Sequence, residues 1–476
     1  MLFNSIQYLL FLPIVFAAYW LLRRRLALQN LFVVIASYVF YGWWDWRFLL
    51  LMAFTTLCSF GCGLLVSRLE ARRLRRSVVT ASLVINLGIL VMFKYYDFFA
   101  GSFSELLSGF GLSAGFVTLD VVLPVGISFY TFQALGYVID VYRRKVDATG
   151  DIVSFFAFIS FFPQLVAGPI ERSSNLLPQF LRPRCFDYAK AVDGLRQMLW
   201  GFFKKVVVAD TCASAVDSIF IEAAHLDAVT LGYGAVLFSI QLYCDFSGYS
   251  DIAIGTGRLF GIDLMRNFNF PYFSRDIAEF WRRWHISLTT WFRDYVYIPL
   301  GGSRCGRWRS VRNTVVVFLL SGLWHGANWT FVSWGAYHAL LFIPLLLTGT
   351  NRRHTSQVAE GRMLPTAGEA VSMAVTFALV AFGLIIFRSP DMADAVLYVR
   401  RMFTCFEPVL PAYGKQAAVW IVLLMAVEWV QRGKQHALQL EGVVGNRYLR
   451  YAIYYALAAI IVTFQGETAQ FIYFQF

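Results

Sequence analysis

The feature that most constrains this chain is a series of apolar runs, each close to the length needed to cross a bilayer. Hydrophobic residues make up 58% of the sequence and charged residues only 15%. A soluble domain holds about 45–50% apolar and about 25% charged residues. Because a transmembrane helix needs about 20 mostly apolar residues, we predict an all-α, polytopic membrane protein of about 11 transmembrane helices with re-entrant segments. The candidate spans are 6–22, 31–44, 48–66, 78–93, 121–141, 229–242, 329–347, 371–387, 417–430 and 448–464.

The basic residues are distributed as in a membrane protein. The formal net charge is +12, but Lys and Arg occur in short clusters beside the apolar runs, which argues against nucleic-acid binding. The clusters at 23–25, 68–76 and 143–145 alternate with the first five candidate spans. Since Lys and Arg prefer the cytoplasmic side, this alternation places the N-terminus outside. The first run is followed by arginines and not by a small-residue cleavage site, so it is interpreted as a span.

Two segments in the middle of the chain do not fit a simple span. Residues 152–166 form a short apolar run that leads into Pro169 and Glu171, which favours a re-entrant or interfacial segment. Residues 243–255 carry Asp245 and Asp251 between apolar segments. We expect irregular, charged backbone there, surrounded by protein or by a water-filled cavity.

Two histidines mark the polar centre of the chain. His285 and His325 each follow a tryptophan, Trp284 and Trp324, and His325 ends an apolar run and is followed closely by Asn328. A titratable group at the end of such a run is a functional-site hypothesis, because burying it without a task or partner is costly. Histidine is suited to act as a general base near neutral pH, and an indole N–H and an amide can orient a substrate.

Arginines surround the first histidine. Arg282 and Arg293 are eleven residues apart, so on one continuous helix they would share a face with Arg283 close by. Guanidinium groups suit a phosphate-bearing ligand, and Asp294 is the only acidic neighbour in sequence. An anionic carrier could therefore dock on the arginines while a histidine removes a proton from an attacking hydroxyl.

Other interpretations of these residues stay open. His285 and His325 can be satisfied structural residues, and the arginines can contact lipid phosphates or follow the positive-inside preference. His338 is interpreted as structural. Asp245, Asp251 and the histidines would also fit the proton path of a transporter or channel for a small acyl species or ion. The seven scattered cysteines are interpreted as reduced packing residues, and no metal site is expected.

Several long segments resemble one family, the membrane-bound O-acyltransferases (MBOAT), and within it the branch of the alginate O-acetylation proteins. The likeness covers nearly the whole chain. The segments that carry it are SFYTFQALGYVIDVYR (128–143), FFPQLVAGPIER (161–172), GFFKKVVVAD (201–210), YCDFSGYSDIAIG (243–255), FWRRWHISLTTWFRDYVYIPLGG (280–302) and SGLWHGANWTFVSWGAYH (321–338), together with LIIFRS and the terminal FIYFQF.

The resemblance implies acyl transfer to hydroxyl groups, with His325 as the catalytic base and His285 as the second position tied to activity. Gln133 and Asp245, in two of the matching segments, are added to the candidate substrate-binding residues Trp284, Trp324, Asn328, Arg282, Arg283 and Arg293. One membrane domain is expected over 1–476, with a catalytic core at about 121–347.

The implied reaction carries an acetyl group across a bacterial inner membrane. The donor is a cytosolic thioester, acetyl-CoA, and no bound cofactor is expected. The acceptor is an extracytoplasmic polysaccharide of the alginate, cellulose or peptidoglycan type. The expected partners are membrane lipid and a periplasmic acetyltransferase or esterase-like protein, with no nucleic acid.

Overall fold

The computed structural model describes residues 1–112, 115, 118–119, 121–166, 168–407, 411–464 and 471–472. Over these residues the chain is helical, and none of them lies in a strand, which confirms the predicted all-α class. The chain forms two compact units. One comprises Met1–Asp187 and Gly257–Leu264, and the other comprises Tyr188–Thr256 and Met265–Phe476.

The helices of the first unit follow the apolar runs. They are α1 (Ile6–Leu21), α2 (Leu26–Gly42), α3 (Arg47–Arg68), α4 (Arg72–Leu90), α5 (Tyr96–Gly109), α6 (Ile127–Tyr142), α7 (Ile152–Ser160), α8 (Phe162–Leu165) and α9 (Ser173–Phe180). A π-helical turn, Val91–Tyr95, joins α4 to α5, so the predicted span 78–93 is part of a longer helical stretch. Helices α7 and α8 are 9 and 4 residues long, so neither is long enough to span a bilayer. Their re-entrant or interfacial position stays a prediction.

The second unit contains the histidines. Its helices are α10 (Tyr188–Phe202), α11 (Asp210–Ile221), α12 (Ala228–Leu259, whose last residues belong to the first unit), α13 (Ile277–Arg283), α14 (Ile286–Phe292), α15 (Arg307–His325), α16 (Trp329–Leu347), α17 (Ala367–Arg388), α18 (Met392–Thr404), α19 (Lys415–Val430) and α20 (Arg447–Thr463). The π-helical segments Phe203–Ala209 and Arg293–Tyr297 follow α10 and α14, and a 3₁₀ turn, Pro271–Phe273, precedes α13. Helix α18 coincides with none of the predicted spans.

Five helical stretches within the described residues are long and apolar enough to cross a membrane. They are Arg47–Arg68, Arg72–Gly109, Ala228–Leu259, Trp329–Leu347 and Ala367–Arg388. Helices α1 and α2 are apolar but shorter. These lengths and compositions define a multi-pass membrane protein.

Helix α12 corrects one prediction. The segment 243–255 was expected to be irregular, but it lies inside one continuous helix of 32 residues, about 48 Å long at 1.5 Å per residue. A helix satisfies its own backbone hydrogen bonds, so the two aspartates need only side-chain partners to be buried. Close packing holds the helix in place, because a Cβ added at Gly201 of α10 would lie 2.6 Å from the carbonyl oxygen of Gly248.

A second correction concerns the arginine cluster. The chain does not form one helix from Arg282 to Arg293, because α13 ends at Arg283 and α14 begins at Ile286. Between them Trp284 is extended and His285 has φ +42°. The eleven-residue spacing therefore does not place Arg282 and Arg293 on one helix face.

Helices α15 and α16 form a tightly packed hairpin. A Cβ added at Gly322 would lie closer than 3.0 Å to the carbonyl oxygen of Phe331, and one at Gly326 would meet the ring of the same residue. A Cβ at Gly335 would similarly approach the backbone of Phe318. Small residues allow helix backbones in membranes to approach closely, and here they fix the turn that carries His325.

Candidate functional site

His325 is the last residue of α15. Gly326 follows in extended conformation, with φ −168°, so the chain leaves the helix directly after the histidine. The side chain is buried, and its ring meets the edges or faces of Trp324, Trp334 and Phe387 at centroid distances of 5.0, 5.1 and 5.3 Å. The predicted base therefore lies in an aromatic setting with its backbone held by the hairpin.

His285 occupies a strained backbone position. A non-glycine residue with φ +42° costs about 1–3 kcal/mol, and such residues cluster at functional sites. The side chain is 1% exposed, and its ring lies 4.7 Å from Phe246 and 5.7 Å from Trp324. Its Nδ1 faces the Ser287 hydroxyl at 3.5 Å. Because Trp324 also touches His325, the structure gathers both histidines around one indole ring.

A small buried cavity adjoins His325. Its free volume is about 10 Å³, at the limit of what one water molecule needs. Trp284, one of the predicted substrate-binding residues, lines this cavity. The lining also includes Trp334 and His338, two residues that were not among the predicted site residues.

An open cleft lies at the turn that follows His325. Its volume is about 420 Å³ and its lining includes Gly326 and Asn328 from the turn after the histidine, together with Phe387 and Arg388 at the end of α17. Phe387 lines the cleft and the buried cavity alike. The cavity that His325 lines and the accessible cleft therefore share one wall residue, whose ring contacts His325.

Asn328 has a structural task. Its Oδ1 accepts the backbone N–H of Thr330 at 3.0 Å as the N-cap of α16, and its Nδ2 donates to the carbonyl of Pro390 at 2.8 Å. Such a cap contributes about 1 kcal/mol to a helix. Its expected contact with substrate stays a prediction.

Two of the three predicted arginines are exposed. Arg282 donates to the backbone carbonyls of Asn351 and His354 at 2.8 and 2.6 Å. Arg293 pairs with Asp294 at 2.8 Å. Neither contact is a buried ion pair, so both guanidinium groups remain accessible.

Arg283 is buried and paired with Glu279, which corrects the premise that Asp294 is the acidic partner of the cluster. The Arg283 Nη2 lies 2.8 Å from Glu279 Oε1, and Arg275 donates to the same carboxylate at 3.0 Å. Burial alone would raise the pKa of the Glu279 carboxyl, but the hydrogen bonds from Arg275 and the charge of Arg283 hold its pKa below the usual range. The sequence carried a signal that was missed, because Glu279 lies four residues from each arginine and residues at that spacing share a helix face.

Asp245 and Gln133 also have protein partners. Asp245 accepts from the Lys205 ammonium at 2.7 Å and from the backbone N–H of Ile472 at 2.8 Å. Gln133, in the first unit, donates through Nε2 to the carbonyl of Phe158 at 2.7 Å, at the end of α7. These contacts give both residues a structural role, and their substrate binding stays a prediction.

A buried polar network in the second unit was not predicted. Lys204 pairs with Asp251 at 2.6 Å, and Tyr243 donates to Glu428. All four line a cavity of about 20 Å³, enough for about one water molecule. The signal was the presence of two lysines in one apolar run and two aspartates in another, since buried charges require partners.

Helices long enough to cross a membrane, and a buried histidine that lines a cavity next to an open cleft, define this protein as a membrane enzyme candidate with general acid–base chemistry. The model of the membrane-bound O-acyltransferase family (MBOAT) matches residues 35–387. The chain belongs to this family and is an acyltransferase.

Named relatives support the same class. The chain is 42% identical over 409 residues to the probable alginate O-acetylase AlgI of Pseudomonas aeruginosa, and the alignment covers 85% of this chain and 75% of the relative. It is 33% identical over 432 residues to the peptidoglycan O-acetyltransferase of Helicobacter pylori, covering 84% and 80%. It is 30% identical over 289 residues to the teichoic acid D-alanyltransferase of Bacillus subtilis, covering 56% and 69%.

Proposed function

We propose that this acyltransferase takes an acetyl group from a cytosolic thioester and passes it across the membrane for O-acetylation of an extracytoplasmic polysaccharide. Relatives named for alginate and peptidoglycan O-acetylation support an acceptor of the alginate, cellulose or peptidoglycan type. We place the protein in a bacterial inner membrane, with about 11 spans, at roughly 20 residues each. A periplasmic acetyltransferase or esterase-like protein would receive the group or deliver it to the polymer.

The observation that carries this proposal is that His325 lines the buried cavity while the next residue, Gly326, lines the open cleft. A base at this position would meet an acyl group in the cavity and a hydroxyl that enters through the cleft. His325 would remove the proton of the attacking hydroxyl, and the protonated imidazole would return it to the departing thiolate. His285 would also take part in the reaction, since its ring and that of His325 both contact the Trp324 indole.

We take acetyl-CoA as the donor. The exposed guanidinium groups of Arg282 and Arg293 suit its phosphates. Arg283 forms an ion pair with Glu279, so its role would be to hold the backbone around Arg282 in place. No cofactor need remain bound between turnovers.

The test is net acetyl transfer by the purified protein in proteoliposomes. Acetyl-labelled acetyl-CoA is supplied on one side, and unacetylated alginate or peptidoglycan, together with the periplasmic acetyltransferase or esterase-like protein, on the other. Ester formation accompanied by an equal release of thiol is the expected result. Labelled acetyl species that cross the membrane with neither ester formation nor thiol release would instead favour a transporter.

A further inference from the structure

His338 is a buried histidine whose ring nitrogens both lack a hydrogen-bond partner within the part of the chain that the structure describes. The residue is 1% exposed. Either tautomer of a neutral imidazole presents one N–H and one lone pair, and each buried polar group left unpaired costs about 1–3 kcal/mol. A phenylalanine of similar shape would avoid this free-energy cost, so we expect a ligand to pair with the histidine.

The surroundings of His338 point to the same cavity that adjoins His325. Both histidines line it, and the ring of Trp334 lies between them, 5.1 Å from His325 and 4.9 Å from His338. The indole nitrogen of Trp334 is also buried and has no hydrogen-bond partner among the described residues. Gly383 leaves the Nε2 side of His338 open, because a Cβ there would come within 3.2 Å of that nitrogen.

Two residues whose buried ring nitrogens lack hydrogen-bond partners in the described part of the chain therefore line one cavity beside the proposed general base. We infer that His338 and Trp334 form the oxyanion hole of the transfer reaction, an inference that rests on the proposed function. Preorganised donors aimed at a developing oxyanion stabilise the transition state of acyl transfer. In a water-excluded site their effect is larger than in solution.

The acceptor hydroxyl oxygen attacks the thioester carbonyl carbon while its proton passes to His325, and the π electrons move to the carbonyl oxygen. That oxyanion accepts hydrogen bonds from the N–H groups of His338 and Trp334. When it collapses, the C–S bond breaks and the thiolate takes the proton from His325, leaving an acetyl ester and a free thiol. Since the cavity has free volume of only about 10 Å³, side chains lining it must move to admit the acetyl group.

The test compares His338→Phe with His338→Gln. The phenylalanine variant keeps the shape of the ring and removes both nitrogens, so it should fold at least as well as the wild type. Its kcat should fall about 10²- to 10³-fold, the usual loss when one oxyanion donor is removed, with donor KM changed much less. His338→Gln restores an N–H near the same place and should recover part of the rate. A merely structural role predicts unchanged kcat in both.

Tryptophan variants supply a matched control. Trp334→Phe removes a donor from the cavity and should lose kcat. Trp281→Phe should keep the wild-type kcat, because the Trp281 ring contacts the rings of Trp334 and His338 without lining the cavity. Wild-type kcat in folded His338→Phe, while His325→Ala is inactive, would overturn the oxyanion hole and leave the proposed function standing. A wild-type protein that transfers no acetyl group would refute the proposed function itself.

Discussion

The packing of α15 against α16 gives a prediction that can be worked out in detail for Gly322→Ala. The added Cβ would lie closer than 3.0 Å to the Phe331 carbonyl oxygen, a distance that real Cβ atoms essentially never show. Ordinary contact requires about 3.5 Å or more, and backbone cannot rotate away, so the two helices must separate by about 1 Å. Overpacking of this kind costs about 1–3 kcal/mol.

The same shift displaces the proposed base. His325 lies three residues further along α15, and a misplacement of about 1 Å at a reacting group can reduce the rate about 100-fold. We therefore expect Gly322→Ala to lower both the free energy of unfolding and the rate of acetyl transfer. Reversible denaturation in detergent micelles measures the first, and the proteoliposome assay measures the second.

Gly232→Ala is the matched control for this experiment. Gly232 is also helical, but a Cβ there meets nothing within 4 Å, so the substitution should stabilise the protein by about 0.5–1 kcal/mol through backbone entropy alone and leave the rate unchanged. The difference between the two variants in the free energy of unfolding and in the rate of acetyl transfer therefore measures the effect of the clash. If Gly322→Ala were as stable and as active as Gly232→Ala, the close approach of the two helices would not be what positions His325.

Three further predictions follow from other contacts. Arg282→Ala should raise the KM for acetyl-CoA with less effect at saturating donor, whereas Arg283→Ala should reduce the yield of folded protein; unchanged donor affinity in folded Arg282→Ala would leave Arg282 as an interface residue. Single cysteines at Asp45, just before the 22-residue helix α3, and at Ser77, in the second turn of α4, should be labelled from opposite sides of the membrane, and labelling from one side would break the proposed topology. The lowered pKa of Glu279 means that its contribution to stability is present above its unfolded pKa of about 4.3 and is lost as pH falls through the folded pKa. Glu279→Gln should therefore lose stability at neutral pH and show a weaker acid dependence, as measured by unfolding between pH 7 and pH 3.

The sequence predicted well where local composition decides the structure. Apolar runs bounded by arginines, glycines or asparagine gave the all-α class, and α16 occupies the predicted 329–347. The end of α15 at His325 also agrees, since Gly326 and Asn328 provide local stop and start signals. In these elements the helix boundaries depend on residues only a few positions away.

The predictions failed where residues that are distant in the sequence decide the structure. Asp245 and Asp251 stay inside a helix because lysines on a preceding segment neutralise them, and no local pattern shows that pairing. The break at His285 has neither glycine nor proline to mark it, and the FWRRWHIS segment has the composition of a continuous helix. His338 was interpreted as structural, and the sequence could not show that both of its ring nitrogens lack hydrogen-bond partners among the residues that the structure describes.

The most direct test of the whole account is the rate of acetyl transfer by His325→Ala in proteoliposomes, with the exposed His225→Ala as control. Removing a general base costs about 10²–10⁴ in rate, so the account predicts a loss of that size for His325→Ala, with normal folding and donor binding, and a wild-type rate for His225→Ala. A folded His325→Ala protein that works within about threefold of the wild-type rate, far less than the loss of a general base, would contradict the central claim.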